Sequence, residues 1–272
     1  MVRDFPLSAV ASIREKAEQW FAQPGEAAPA RLAATVMCVR ESATGMEVFT
    51  MHRAATMAFV PSVHVFPGGG VDPRDAQEVP WFGPSPAQWS ELIGTDTESA
   101  QMVVTAAIRE VFEETGVLLA GPDGDSVAEP TSTWLADRQA LEQRTLSFAQ
   151  FLRREHLVLR SDLLGYRAHW TTPEFEPRRY DTRFFAARMP VGQLADGQSA
   201  EAQSVSWSRP IDLLDGHTRG ELGILPPTLL MLEELATESD IDHVVTSRSD
   251  VPDIMPRVVE HDGALVLRVD RR

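Results

Sequence analysis

The stretch "AIREVFEETGVLL", residues 107–119, decides how this chain folds. With Ile108 as origin and 100° per residue, Val104, Ala107, Val111 and Phe112 fall within about 100° and form one apolar stripe. Glu110, Glu113 and Glu114 fall opposite, within an arc of about 100°. Their i, i+3 and i+4 spacing brings the three side chains within reach of one another. The turns just upstream on that acidic face carry Met102, Val103 and Ala106, which are not solvent residues. The spacing therefore predicts a helix from about Glu98 to Thr115, covered on both sides as in a layered α/β fold, with Gly116 ending it.

Three carboxylates near a helix C-terminus oppose the macrodipole, so a cation should compensate them. Oxygen donors in this pattern suit Mg²⁺ or Mn²⁺ better than Zn²⁺, which prefers His and Cys. Arg109, beside the cluster, is suited to orient a carboxylate through a bidentate contact. The bland alternative is a solvated face with surface ion pairs, worth little and leaving the clustering unexplained.

Composition narrows the remaining choices. The chain has 272 residues and a formal charge of −15, with no basic run, which argues against a nucleic-acid backbone as partner. An acidic protein still accepts an anionic substrate when metal cations bridge the two. No apolar run reaches the length of a membrane span, and the N-terminus lacks the apolar core of a secretory signal. With Cys38 the single cysteine, no intrachain disulfide exists, and a cytoplasmic setting is expected.

Along the chain, "SAVASIREKAEQWF" from Ser8 reads as an amphipathic helix, and residues 1–30 as an N-terminal helix and linker. "RLAATVMCVR" and "MEVFTMHRA" read as strands joined by the turn "ESATG". "FVPSVHVFPGGGVDPRD", from Phe59 to Asp75, reads as a strand followed by a glycine-rich loop. Residues from about 76 to 100 lack periodicity and read as an insertion with a short helix. "WLADRQALEQRTLSFAQFLRREHL" reads as helical, "RRYDTRFFAARM" and "AEAQSVSWS" as strands. "PIDLLDGHTRGELGILPPTLLMLEELATES" is mainly helical, and "ALVLRVD" is a candidate final strand. One α/β domain over residues 31–235, with a C-terminal extension over 236–272, is the simplest account.

"REVFEETGV", Arg109 to Val117, resembles the C-terminal half of the Nudix box, R-E-U-x-E-E-x-G-U with U aliphatic. Every fixed position agrees; a chance agreement in this length is roughly one in 10⁴ to 10⁵. The N-terminal half of the box is interrupted. Gly69 in "FPGGGVD" is the candidate glycine, and Asp75 stands five residues on, where the family has Glu. Between Asp75 and Arg109 lie 33 residues, where the family has about seven. Such an interruption resembles the coenzyme A diphosphatase branch, as do "FVPSVHVFPGGGVDPRD", "HWTTPEFEPRRYDTRFF" and "LGILPPTLLMLEEL". The shorter coenzyme A signature of other members is half present, in Arg53 and "FPGG".

That resemblance implies an α/β/α sandwich around a mixed sheet, with a helical insertion and extra helices. It implies Glu110, Glu113 and Glu114 as ligands of Mg²⁺ or Mn²⁺, with the Gly69 carbonyl a weaker candidate. Glu110, Glu113 and Arg109 become candidate catalytic residues. Glu201, six residues before Trp207, is the candidate general base, because a metal-bound carboxylate is a poor one. Arg53, Arg179, Phe66 and Asp75 are candidate substrate contacts, with Arg178 more plausibly a surface residue. His64 reads as a hydrogen-bonded strand histidine and only secondarily as a ligand. Trp170 and Phe184 read as core before adenine-stacking groups.

The implied reaction is hydrolysis of a diphosphate, with coenzyme A or an acyl-coenzyme A as substrate. NADH, ADP-ribose or another nucleoside diphosphate derivative is the alternative. A non-catalytic ligand-binding regulator on the same fold is a third reading, disfavoured because such a module has no need of all three acids. No membrane partner is expected, and a homodimer is compatible with the sequence.

Overall fold

A computed structural model describes residues 2–7, 11–53, 63–129, 134–198, 202–246 and 251–270. In chain order the elements begin with β1 (Val2–Pro6), α1 (Ala11–Ala22), β2 (Ala30–Ser42), β3 (Gly45–Arg53), β4 (His64–Val65) and β5 (Gly68–Gly70). After a 3₁₀ turn at Pro73–Ala76 come β6 (Trp81–Phe82), α2 (Pro86–Ile93), α3 (Thr97–Thr115) and β7 (Ala120–Gly121). Next are α4 (Leu135–Glu142), α5 (Phe148–Arg154), β8 (Val158–Arg160), β9 (Gly165–Thr171), β10 (Arg179–Arg188) and β11 (Ala202–Ser208). The chain closes with α6 (Pro210–Thr218), α7 (Pro226–Thr237), α8 (Ile241–Thr246), β12 (Asp253–Ile254), β13 (Arg257–His261) and β14 (Ala264–Asp270).

Strand β2 organises the molecule because its side chains are apolar on both faces. Ala34, Val36 and Cys38 point into one core, against Val104, Ile108, Val111 and Phe112 of α3. Met37 and Val39 point into the other, against Leu213 of α6, Leu229 and Leu232 of α7 and Val244 of α8. Helices thus cover both faces of one mixed sheet of order β11-β3-β2-β10-β9-β12, with β4 on β3 and β5 on β2. Strands β2 and β10 run parallel in unbroken register from Arg179↔Ala30 to Arg188↔Val39. This is the expected α/β/α sandwich. Among the described residues no helix is long and apolar enough to cross a membrane.

Helix α3 forms where the spacing places it. Asp96 caps its start by accepting from Ser99 N at 2.9 Å, and Gly116 ends it at φ 75°. Val103, Ala106 and Ile108 are all fully buried, so both sides are covered as anticipated. The insertion is a short paired strand, β6, and the helix α2, whose Trp89 packs edge-on to Phe185 at 5.7 Å.

Three readings change. The glycine run is not a loop: Gly68–Gly70 pair antiparallel with Ala33–Thr35. The segment expected to be one helical stretch breaks into α4 and α5, because Arg144 adopts φ 59° and Ser147 starts a new helix in a reciprocal cap with Gln150. Strands β1 and β9 have no counterpart in the sequence reading. Strand β1 pairs with β14, and β14 with β13, so the two ends of the chain build one small sheet. The expected N-cap, Ser8, lies outside the described residues.

Candidate active site

The acidic face of α3 packs against β5 and the 3₁₀ turn, and one guanidinium joins them. Arg109, 8 % exposed, donates from Nε to Asp75 Oδ1 and from Nη2 to Asp75 Oδ2, each at 3.0 Å. Its Nη1 donates to Glu110 Oε1 at 2.6 Å and Glu113 Oε1 at 3.1 Å, and Nη2 also reaches the Gly70 carbonyl at 3.1 Å. The anticipated bidentate contact exists, but its partner is Asp75 rather than a glutamate of the cluster. Surrounded by carboxylates, the guanidinium is held more firmly protonated than usual despite its burial. Burial pushes the Glu113 carboxyl up, and Arg109 opposes that rise.

The glycine strand fixes the other two acids. Gly68 N donates to Glu114 Oε2 at 2.8 Å, and Glu114 is 4 % exposed. A Cβ on Gly69 would lie 2.6 Å from the Glu110 carboxylate, so Glu110 occupies space that only glycine leaves open. Asp75 is sealed: its Oδ2 also accepts from Asp72 N at 2.9 Å, and it is 2 % exposed. It therefore positions Arg109 and does not reach outward as the substrate contact expected of it. At the helix end, Arg138 Nη2 reaches the Glu113 carbonyl at 3.3 Å while pairing with Asp196 at 2.7 Å. Part of the repulsion anticipated at this terminus is thus relieved by two arginines and a backbone N–H.

Three carboxylates (Asp75, Glu110, Glu113) gather around Arg109 and a fourth, Glu114, is held at Gly68, leaving excess negative charge in a largely buried place. Oxygen donors and that excess of charge fit a hard divalent cation. The acids are turned toward Arg109 and Gly68, and among the described residues no three of them close on a common point as a ready cage. Receiving an ion therefore requires Glu110 and Glu113 to rotate away from Nη1.

On the opposite face of the sheet a cleft of about 240 Å³ shares Gly68 with this site. Arg53 and Phe66 line it, with Trp170, Tyr180 and Phe184. Arg179 does not line it, although its partner Thr172 does. It is 9 % exposed and donates to the carbonyls of Thr172 at 3.0 Å and Ala28 at 2.8 Å, which corrects its expected place beside the substrate. Arg178 is exposed. His64 sits 5.0 Å from the His52 ring, and burial together with that neighbour lowers its pKa. Glu201 lies outside the described residues; the next residue, Ala202, stands opposite Arg53 in the β11–β3 pairing.

The model of the family described as NUDT19 Nudix domain matches residues 97–235, just over half of the chain. The chain belongs to the Nudix family. Among relatives of this Nudix chain, the acyl-coenzyme A diphosphatase NUDT19 of Xenopus laevis is 24 % identical over 73 % of it and 62 % of that protein. Its counterpart in Homo sapiens is 27 % identical over 71 % and 61 %. The chain spans about three fifths of the length of these relatives. The crystal structure of a NUDIX hydrolase from Alicyclobacillus acidocaldarius superposes with a TM-score of 0.63 at 26 % identity, covering 82 % of this chain and 99 % of the other.

Sequence reasoning named the acids and Arg109 but missed what holds them. Asp72 caps the 3₁₀ turn while Asp75 bonds back to it, with Pro73 in the first position. The run "DPRD" carries that reciprocal cap in its spacing. The Gly68–Glu114 bond leaves no such trace, since any residue carries a backbone N–H.

Proposed function

We propose that this chain is a Mg²⁺- or Mn²⁺-dependent hydrolase of a diphosphate linkage. Its substrate is coenzyme A or an acyl-coenzyme A, cleaved to the phosphopantetheine product and adenosine 3′,5′-bisphosphate. The observation that carries the reading is the set of acids on α3 held around Arg109 at the glycine strand. The diphosphatase names of the relatives support the substrate class.

Glu110, Glu113 and Glu114 would hold the metal, with the Gly69 carbonyl beside them. A divalent ion there supplies neutralisation of the diphosphate oxygens and an acidified water. The protein does the rest by placement. Asp75 fixes the plane of Arg109, and Arg109 gathers Glu110 and Glu113 on its Nη1. Gly68 N pins Glu114, while Glu110 and Glu113 would turn away from Arg109 to complete the donor set. From the cleft side, Arg53 pairs with a substrate phosphate and Phe66 packs on the attached group. Glu201 takes the proton of the attacking water.

The test is a panel of coenzyme A, acyl-coenzyme A, NADH and ADP-ribose with each metal, read by product identity. Glu113→Gln should lower turnover by about 10² or more while leaving the thermal transition in place. Calorimetric titration with Mn²⁺ should show uptake by the parent chain and weaker uptake by the variant. A variant with full turnover would refute the assignment of Glu113.

A further inference from the structure

The cleft beside Gly68 has a chemistry unlike that of the acidic site it adjoins. One end is made by Arg53, Phe66 and Gly68, from strands that adjoin α3 or its glycine partner. The other end is closed by Ile13, Phe175 and Leu267, which belong to one small apolar cluster that joins α1 and β14 to the β9–β10 connection. Between them the walls are aromatic rings with threonine hydroxyls, among them Trp170, Phe184 and Thr182. Among the described lining residues Arg53 is the cation, and the anion Glu176 is neutralised by Lys16 Nζ at 2.6 Å. Beyond the Arg53 end the cleft therefore offers little to a phosphate or a hydroxyl-rich sugar. It suits an uncharged, branched, largely apolar chain carrying a few amides.

We infer that this cleft binds the pantetheine arm of the substrate, and that Ile13 and Leu267, both outside the family-matched residues 97–235, form its far wall. The inference rests on the coenzyme A reading above and says which half of that molecule lies where. Coenzyme A is separated from ADP-ribose and NADH by what sits on the non-adenylate side: an apolar arm that gains from these rings, against a sugar that would bury hydroxyls among them.

Lys16 is the single lysine of the chain, which supplies a local probe. Amine-selective modification, mapped by peptide mass, is followed with and without pantetheine, which carries neither phosphate nor nucleotide. Pantetheine is expected to slow modification of Lys16 at least threefold, and adenosine 3′,5′-bisphosphate to leave its rate unchanged. Ile13→Trp and Leu267→Trp, each filling the far end from a different element, should weaken pantetheine binding at least tenfold without altering the affinity for the bisphosphate. Protection by the bisphosphate instead, or pantetheine binding undiminished in both variants, overturns the inference. Should either variant fail to fold, the Lys16 measurement on the parent chain decides alone. If no diphosphate is cleaved but pantetheine still protects Lys16, the reaction is misassigned and the cleft is not.

Discussion

The Gly69→Ala substitution separates folding from chemistry at this site. The new Cβ would stand 2.6 Å from Glu110 Cδ and Oε2 and 2.7 Å from Oε1, closer than real Cβ atoms approach. The clash is with the far end of a flexible side chain, so the carboxylate moves and the backbone does not. Reaching ordinary contact at 3.4 Å takes a displacement of 0.8 Å. A misplacement near 1 Å in a reacting constellation costs on the order of 10² in rate. Stability should fall by only about 1 to 2 kcal/mol, from weakening the 2.6 Å contact between Arg109 and Glu110. Steady-state turnover and a urea titration on the same preparation check both numbers. The neighbouring glycines are internal controls. At Gly70 the nearest atom to an added Cβ is Tyr180 Cε1 at 3.9 Å, so Gly70→Ala should keep near-parental turnover. At Gly68 the Cβ would meet the Ala34 carbonyl at 2.3 Å, a backbone atom that cannot yield, so Gly68→Ala should destabilise the sheet itself. Full turnover in Gly69→Ala would refute the claim that the position of Glu110 matters to the reaction.

Asp75→Asn leaves Arg109 without its bidentate partner; stability should drop by about 3 kcal/mol, the low end for a broken buried pair because Glu110 and Glu113 remain, as read by urea unfolding. Arg179→Ala should cost about 1 to 3 kcal/mol by stripping donors from the Ala28 and Thr172 carbonyls, and KM should stay within about twofold of the parent. A large rise in KM there would return Arg179 to the substrate. The Arg74 guanidinium holds the Asp72 carboxyl down to about 2. The folded value being depressed, the stabilisation is complete above the unfolded pKa near 3.8 and disappears as pH falls toward 2. Asp72→Asn should therefore cost roughly 1 to 2 kcal/mol at pH 7 and almost nothing near pH 2, measured by denaturation across that range.

What the sequence made legible was local. Helix α3 announced itself by its period and its C-terminal glycine, while its cap, Asp96, went unread. Strands β2 and β3 were readable as apolar runs around a short polar turn. Strand β9 was not, because its alternate residues Arg167 and His169 face ion-pair partners, Glu234 and Asp181, instead of water. Three glycines carry no strand preference, and only pairing with β2 makes β5 a strand. The misreading of Arg179 has the same origin. An arginine beside "RYDT" is chemically competent for phosphate, and only the fold reveals that the Ala28 carbonyl, 151 residues away in sequence, claims it. Asp75 was singled out as a substrate contact, yet its place depends on a buried bidentate geometry that spacing cannot convey.

The small sheet in which Val2 stands opposite Asp270 bears on how the molecule is made. Strand β1 emerges from the ribosome early, and its neighbour β14 late. At about 5 to 20 residues per second, the interval between them is on the order of ten seconds to a minute. Throughout it the nascent chain offers an unpaired edge to other chains. Leu267 lies on the same later strand. Translation thus delivers the acids of α3 well before the strand that completes this small sheet.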